Sequence, residues 1–170
     1  MFGLKQVSKI AMPSESRLAP GLAGSAFHDA FEARLDDLTL TAVEIAAASL
    51  RSTPRWVEAL LTVRNAMAKP FGVTPVTPLG RLEPATSGAW RAGDRFGMFN
   101  VMCIDDDELV LGIDDAHLDV RISVLRRRAR STYVIASLVH THNAVGTVYM
   151  WPVGLVHPLI VNVLMARLQI

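Results

Sequence analysis

The sequence is short of charge, of cysteine and of nucleotide-binding motifs, and each shortage closes off a class of protein. Only 19% of its 170 residues are charged, and Lys+Arg 17 against Asp+Glu 16 leaves a formal net charge of +1. Proteins that lean on a phosphate backbone usually carry a basic excess or stripe, so no nucleic-acid partner is expected. Trp56, Trp90 and Trp151 also lack the basic interleaving of a single-strand surface. The one cysteine, Cys103, has no partner for an internal disulfide, and it sits in an apolar stretch that reads as packed strand. No apolar run of signal-peptide length lies between Met1 and Pro20, so a reducing cytoplasm is the expected setting. G-x-G-x-x-G, the P-loop, G-x-S-x-G, HExxH and CxxC are all missing, and neither cofactor nor metal is expected.

What is plentiful is apolar surface: 51% of residues are hydrophobic and the mean hydropathy is +0.30. A chain this apolar is not disordered, and it must hide much of itself from water, alone or with a partner. From Ser131 to Ala166 there is no Lys, Arg, Asp or Glu. That run is longer than the roughly 20 residues that span a bilayer. It is interrupted, however, by Asn143, Asn162, His140, His142, His157, Pro152 and Pro158, and Ser131–Thr141 has the Val, Ile, Thr and Tyr content of a strand. A buried strand followed by a buried helix is expected here, with no transmembrane span.

Residues 1–24, with Pro13, Pro20, Gly21 and Gly24, read as a flexible or loosely packed arm, and residues 25–170 as a single domain. Phe27, Phe31, Ala33 and Leu35 alternate with His28, Glu32 and Arg34, the period of a half-buried strand, although Asp29 breaks the apolar row. Thr41-Ala42-Val43-Glu44 has the form of a capping box and opens an Ala-rich helix ending near Arg51. A second helix is expected to be capped by Thr53, with Pro54 in its first turn. Its packed face would hold Trp56, Val57, Leu60, Leu61, Val63 and Met67. After a Pro/Gly-rich connection, with at most one short strand around Val76–Leu82, the pattern turns to strands. They cover Phe96–Ile104, Glu108–Ile113, His117–Arg126 and Ser131–Thr141, and their short connections imply an antiparallel meander. The last segment, from about Asn143 to Leu168, reads as one helix, apolar all round and hence buried on all sides, with a bend near Pro152. The expected fold class is therefore α+β, a helix-grip: a curved antiparallel sheet wrapped around a long C-terminal helix, with two short helices.

Candidate chemistry clusters in Asp114-Asp115-Ala116-His117-Leu118-Asp119-Val120-Arg121. On a strand His117, Asp119, Arg121 and Ser123 share one face, and a turn at Arg128-Ala129 would bring His140 opposite His117. A carboxylate beside an imidazole suits acid–base work, but the same pattern also serves as a solvent-facing set of cross-strand ion pairs. His140-Thr141-His142 places two imidazoles on one face, a weak metal signal without a third ligand such as Asp114 or Asp115. Asn143 is a natural N-cap and Gly146 allows close approach of the sheet. His157 is either a buried imidazole or a polar hook inside a cavity. Arg126, Arg127, Arg128 and Arg130 form a compact basic turn, expected as a solvated tip flanking oily strands.

The chain resembles a bacterial domain-of-unknown-function family, numbered 2867, of the helix-grip (START-like, SRPBCC) superfamily. Its carriers are Asp29-Ala30-Phe31, Thr53-Pro54-Arg55-Trp56-Val57 with Leu60-Leu61 and Arg64-Asn65, and Phe71-Gly72. They continue with Glu108-Leu109-Val110-Leu111-Gly112, Asp115-Ala116-His117-Leu118-Asp119 with Arg121, His142-Asn143 with Gly146 and Tyr149, and His157, Ile160-Val161 and Leu164. Leu155 and Pro158 depart from the family, which tends to carry proline and a basic residue there. The resemblance implies the same fold and brings no catalytic residues. Such domains are often found behind a short-chain-dehydrogenase-like domain, which makes an oxidoreductase a candidate partner alongside a homodimer. The favoured expectation is a small apolar or amphipathic ligand held between sheet and C-terminal helix, anchored by His117, Asp119, Arg121, His140, His142, Tyr149 and His157. The alternatives are an enzyme using a His–Asp pair for proton transfer on a ketone or ester, and a module that docks its oily helix on a protein or membrane surface.

Overall fold

The computed structural model describes residues 5–73, 75 and 90–168; the expected strand around Val76–Leu82 lies outside them. Seven strands form one antiparallel sheet: β1 (Val7–Lys9), β2 (Phe27–Arg34), β3 (Arg95–Phe96), β4 (Phe99–Ile104), β5 (Glu108–Asp114), β6 (Leu118–Arg127) and β7 (Thr132–Thr141). Their order across the sheet is β1-β2-β7-β6-β5-β4-β3. Helices α1 (Ala42–Arg51) and α2 (Arg55–Ala68) fill the connection after β2, and α3 (Ala144–Arg167) closes the chain. This is the expected α+β arrangement, a curved antiparallel sheet with a long C-terminal helix and two shorter ones.

Strand parity decides which side chains meet the helices. Phe31, Ala33, Leu109, Leu111, Val124, Tyr133 and Ile135 face inward and pack with Ile45 and Ala46 of α1 and with Val161 and Met165 of α3. Burial pushes the Tyr133 phenol well above its ordinary range. Glu44 and Thr41 close the expected capping box: the Thr41 amide donates to Glu44 Oε2 at 2.7 Å, and the Glu44 amide to Thr41 Oγ1 at 3.3 Å. Asn143 accepts from the Gly146 amide at the start of α3. A Cβ on Gly146 would overlap the His117 carbonyl oxygen, so only glycine lets the helix start this close to the sheet.

Several expectations are corrected. Segment 7–22 is docked, not a loose arm: β1 pairs with β2, and Leu18 is buried with Ala30, Val110, Val134 and Leu138 on the outer face. Phe96–Ile104 is a hairpin and not one strand, because Gly97 at φ +63° lets the chain reverse between Phe96 and Phe99. Pro54 itself is the N-cap of α2, and the Thr53 hydroxyl instead donates back to the Leu50 carbonyl at 2.7 Å. Most of the expected packed face of α2 meets solvent: Val57 is buried, but Trp56, Leu60, Val63 and Met67 are exposed. Helix α3 is not buried on all sides either, since Val148, Trp151, Leu155 and Leu159 point to solvent. Period and composition show which residues are apolar but not how many neighbours stand ready to cover them.

The basic turn is corrected as well. Arg126 is buried, with Nε 2.9 Å from Asp107 Oδ1 and Nη1 2.6 Å from the Leu40 carbonyl. Arg127 bridges Glu15 and Glu32, and Arg128 joins Arg126 on Asp107. Arg126 and Arg127 thus clamp loops to the sheet end, while Arg128 and Arg130 stay exposed at the turn as expected.

Candidate functional site

Rows of inward side chains run across the sheet, and one row is out of character. Leu109, Val124, Ile135 and Phe31 make an apolar, fully buried row. The next row is Leu111, Ile122, Ser137 and Asp29, in which Ser137 stands directly opposite Asp29. Asp29 is 3% exposed, a carboxylate on the face where its strand neighbours Phe31 and Ala33 are core. One turn of α3 lies above it: His157 Nδ1 is 2.9 Å from Asp29 Oδ2. The other oxygen, Oδ1, is buried without a hydrogen-bond partner among the described residues.

His157 is held from two sides. Its ring stands edge-on to Phe27, with centroids 5.4 Å apart, while Gly154 one turn earlier lets α3 close on the same phenylalanine. A carboxylate accepting from Nδ1–H fixes the tautomer in which Nε2 carries the lone pair. The His157 side chain keeps 25% of its surface accessible. On the same inward face Ile113, Val120 and Ile122 are only half-buried, in contrast to Leu109, Leu111 and Val124 on the same two strands. Three apolar side chains on the face that carries the polar pair therefore stay partly exposed.

The other predicted residues do not join it. Asp119, Arg121, His140 and His142 lie on the outer face, by the same parity that turns Asp29 inward. His140 pairs with Asp119 and not with His117, because residues 128–131 form a four-residue loop with Ser131 in the left-handed region, and the longer loop shifts every partner by two. Asp119 Oδ1 is 3.1 Å from His142 Nε2, and Arg121 pairs with Asp114. His117 meets the Asn143 side chain at the strand–helix corner. Tyr149 holds α2 instead: its hydroxyl accepts from Arg64 Nε, and the guanidinium lies 4.9 Å from the ring centre. His157 alone of the seven reaches the inner site.

The outer face has its own shallow depression of about 290 Å³, lined by Arg17, Gly21, Cys103, Asp119, Arg121 and His140 among others. Burial raises the Cys103 thiol above its ordinary range, against an activated thiolate. Beside it, buried Glu108 accepts from the Ser16 and Ser123 hydroxyls at 2.8 and 2.6 Å and from the Arg17 amide on both oxygens. Among the described residues no group of three or more His, Cys, Asp or Glu could hold a metal ion. Sequence reasoning passed over Asp29 as a site residue; the signal was its charge on the apolar phase of a strand.

The model of a family described as protein of unknown function matches residues 22–164. No curated protein and no solved structure matches the chain.

Proposed function

Since the chain belongs to DUF2867, the family whose model spans residues 22–164, we propose from its geometry that it binds a small neutral amphipathic molecule between the sheet and α3. The observation that carries this reading is the partial exposure of Ile113, Val120 and Ile122 on the same sheet face as the buried Asp29–His157 pair. The buried Asp29 carboxylate disfavours an anion, whereas the His157 Nε2 lone pair accepts from a hydroxyl or N–H group. A half-exposed apolar surface with one convergent polar group is what such a ligand needs for orientation. The same proposal takes the chain as a START-like domain of the cytoplasm.

The test is titration with N-phenyl-1-naphthylamine, a neutral fluorescent probe with an N–H donor, against the anionic 1-anilinonaphthalene-8-sulfonate. Saturable binding that favours the neutral probe is expected. Ile122→Trp, which crowds this apolar surface, should abolish it, and His157→Gln should weaken it about tenfold, the worth of one good hydrogen bond. Wild-type protein that takes up neither probe overturns the proposal.

The pair also supports a second reading, proton transfer on a ketone or ester, because Asp29 orients the imidazole as a general base would require. Ester turnover that vanishes in His157→Gln would carry that reading; binding without turnover in the wild type would remove it.

A further inference from the structure

The outer face of α3 carries an apolar stripe that the ligand site does not use. Val148, Trp151, Leu155 and Leu159 are 71%, 78%, 71% and 58% exposed. At 100° per residue they fall within an arc of roughly 80°, opposite the face that places Met150, His157, Val161 and Met165 against the sheet. Their 3-4-4 spacing is that of a helix-packing seam. We infer that this stripe pairs with the same stripe of a second copy, α3 against α3, about a two-fold axis near Leu155.

Three observations select a second copy. A two-fold axis brings each residue near its own equivalent, so a charged face repels itself. Residues 131–166 hold no Lys, Arg, Asp or Glu, and the stripe meets itself without that penalty. Trp151 and Leu159 both stand four residues from Leu155, so an antiparallel pair sets Trp151 of one copy opposite Leu159 of the other, large against medium. The area is also suitable: four such side chains expose on the order of 600 Å², close to the ~800 Å² per partner of a stable interface once their neighbours are added.

A membrane is the competing occupant, because α3 has the length and hydropathy of a spanning helix. Spanning would strip Met150, Val161, Met165 and the His157 contact from the sheet. A helix lying on a bilayer surface normally carries flanking Lys and Arg, and α3 has its first Lys or Arg at Arg167, at its very end.

Sedimentation of the full chain at micromolar concentration is expected to show a dimer. Leu155→Glu should weaken it at least tenfold while leaving the circular dichroism and probe binding unchanged, since Leu155 faces away from His157. Mixing Leu155→Glu with Leu155→Lys should restore a heterodimer. A monomeric wild type, or a dimer indifferent to Leu155→Glu, overturns the inference. So does flotation of the wild type with phosphatidylcholine vesicles that Leu155→Glu abolishes, which would assign the stripe to lipid.

Discussion

Two buried carboxylates, one on each face of the sheet, are treated in opposite ways. Glu108 on the outer face is 4% exposed, and its oxygens accept from two hydroxyls and a backbone amide. Asp29 on the inner face is 3% exposed, with one hydrogen bond to His157 and one oxygen with no partner among the described residues. Saturation of that kind rigidifies a fold, tying segment 16–18 to β5 and β6, whereas an orphaned buried oxygen costs stability of about 1–3 kcal/mol. That cost falls beside a partly exposed imidazole, the arrangement on which the binding proposal rests. The outer face, where the sequence concentrates its polar residues, saturates its buried carboxylate; the inner face, nearly all apolar, packs the main core and leaves its own carboxylate half-satisfied.

The largest expected effect breaks the saturated side. Glu108→Ala leaves the Ser16 and Ser123 hydroxyls and the Arg17 amide without their acceptor, and urea unfolding should show a loss of about 3 kcal/mol. A loss under 1 kcal/mol would erase the contrast. Smaller is the response to acid. The Arg128 guanidinium, with Arg126, holds the Asp107 carboxyl below its usual range, and the Thr41 amide does the same for Glu44. Groups with depressed folded values contribute stability above their unfolded values near 4 and lose it as pH falls through the lower folded values. The urea midpoint should therefore be flat from pH 7 to about 5 and drop by pH 3; an unchanged midpoint at pH 3 would contradict this. Smallest is the double replacement Asp29→Val with His157→Leu. Removing both partners of a pair leaves nothing unsatisfied, so stability should stay within about 1 kcal/mol of wild type or rise, while probe binding disappears. A large loss of stability there would make the inner pair structural like Glu108.

Much of the fold was legible along the chain. The period-two runs located β2 and β5–β7, the capping box located α1, and Asn143 with Gly146 located the start of α3. Legibility failed where two segments far apart had to meet. The register of β6 on β7 followed from a loop longer than expected, and the shift moved His140 from His117 to Asp119. Asp29 and His157 are 128 positions apart, and neither carries a local pattern that names the other. Exposure of the α2 and α3 stripes was equally hidden, because an apolar stripe looks the same in sequence whether its own sheet or a second chain covers it.

By itself the sequence determined the alternation and the caps, and through them the element types and most of their order. These follow from steric and hydrogen-bonding rules that act within a few residues. The tertiary structure alone decided which carboxylate was left unsatisfied, which histidine lay over it and which apolar face stayed open. Those outcomes depend on strand parity, loop length and helix placement acting together, and a one-residue change in any of them turns a side chain to the other side of the sheet.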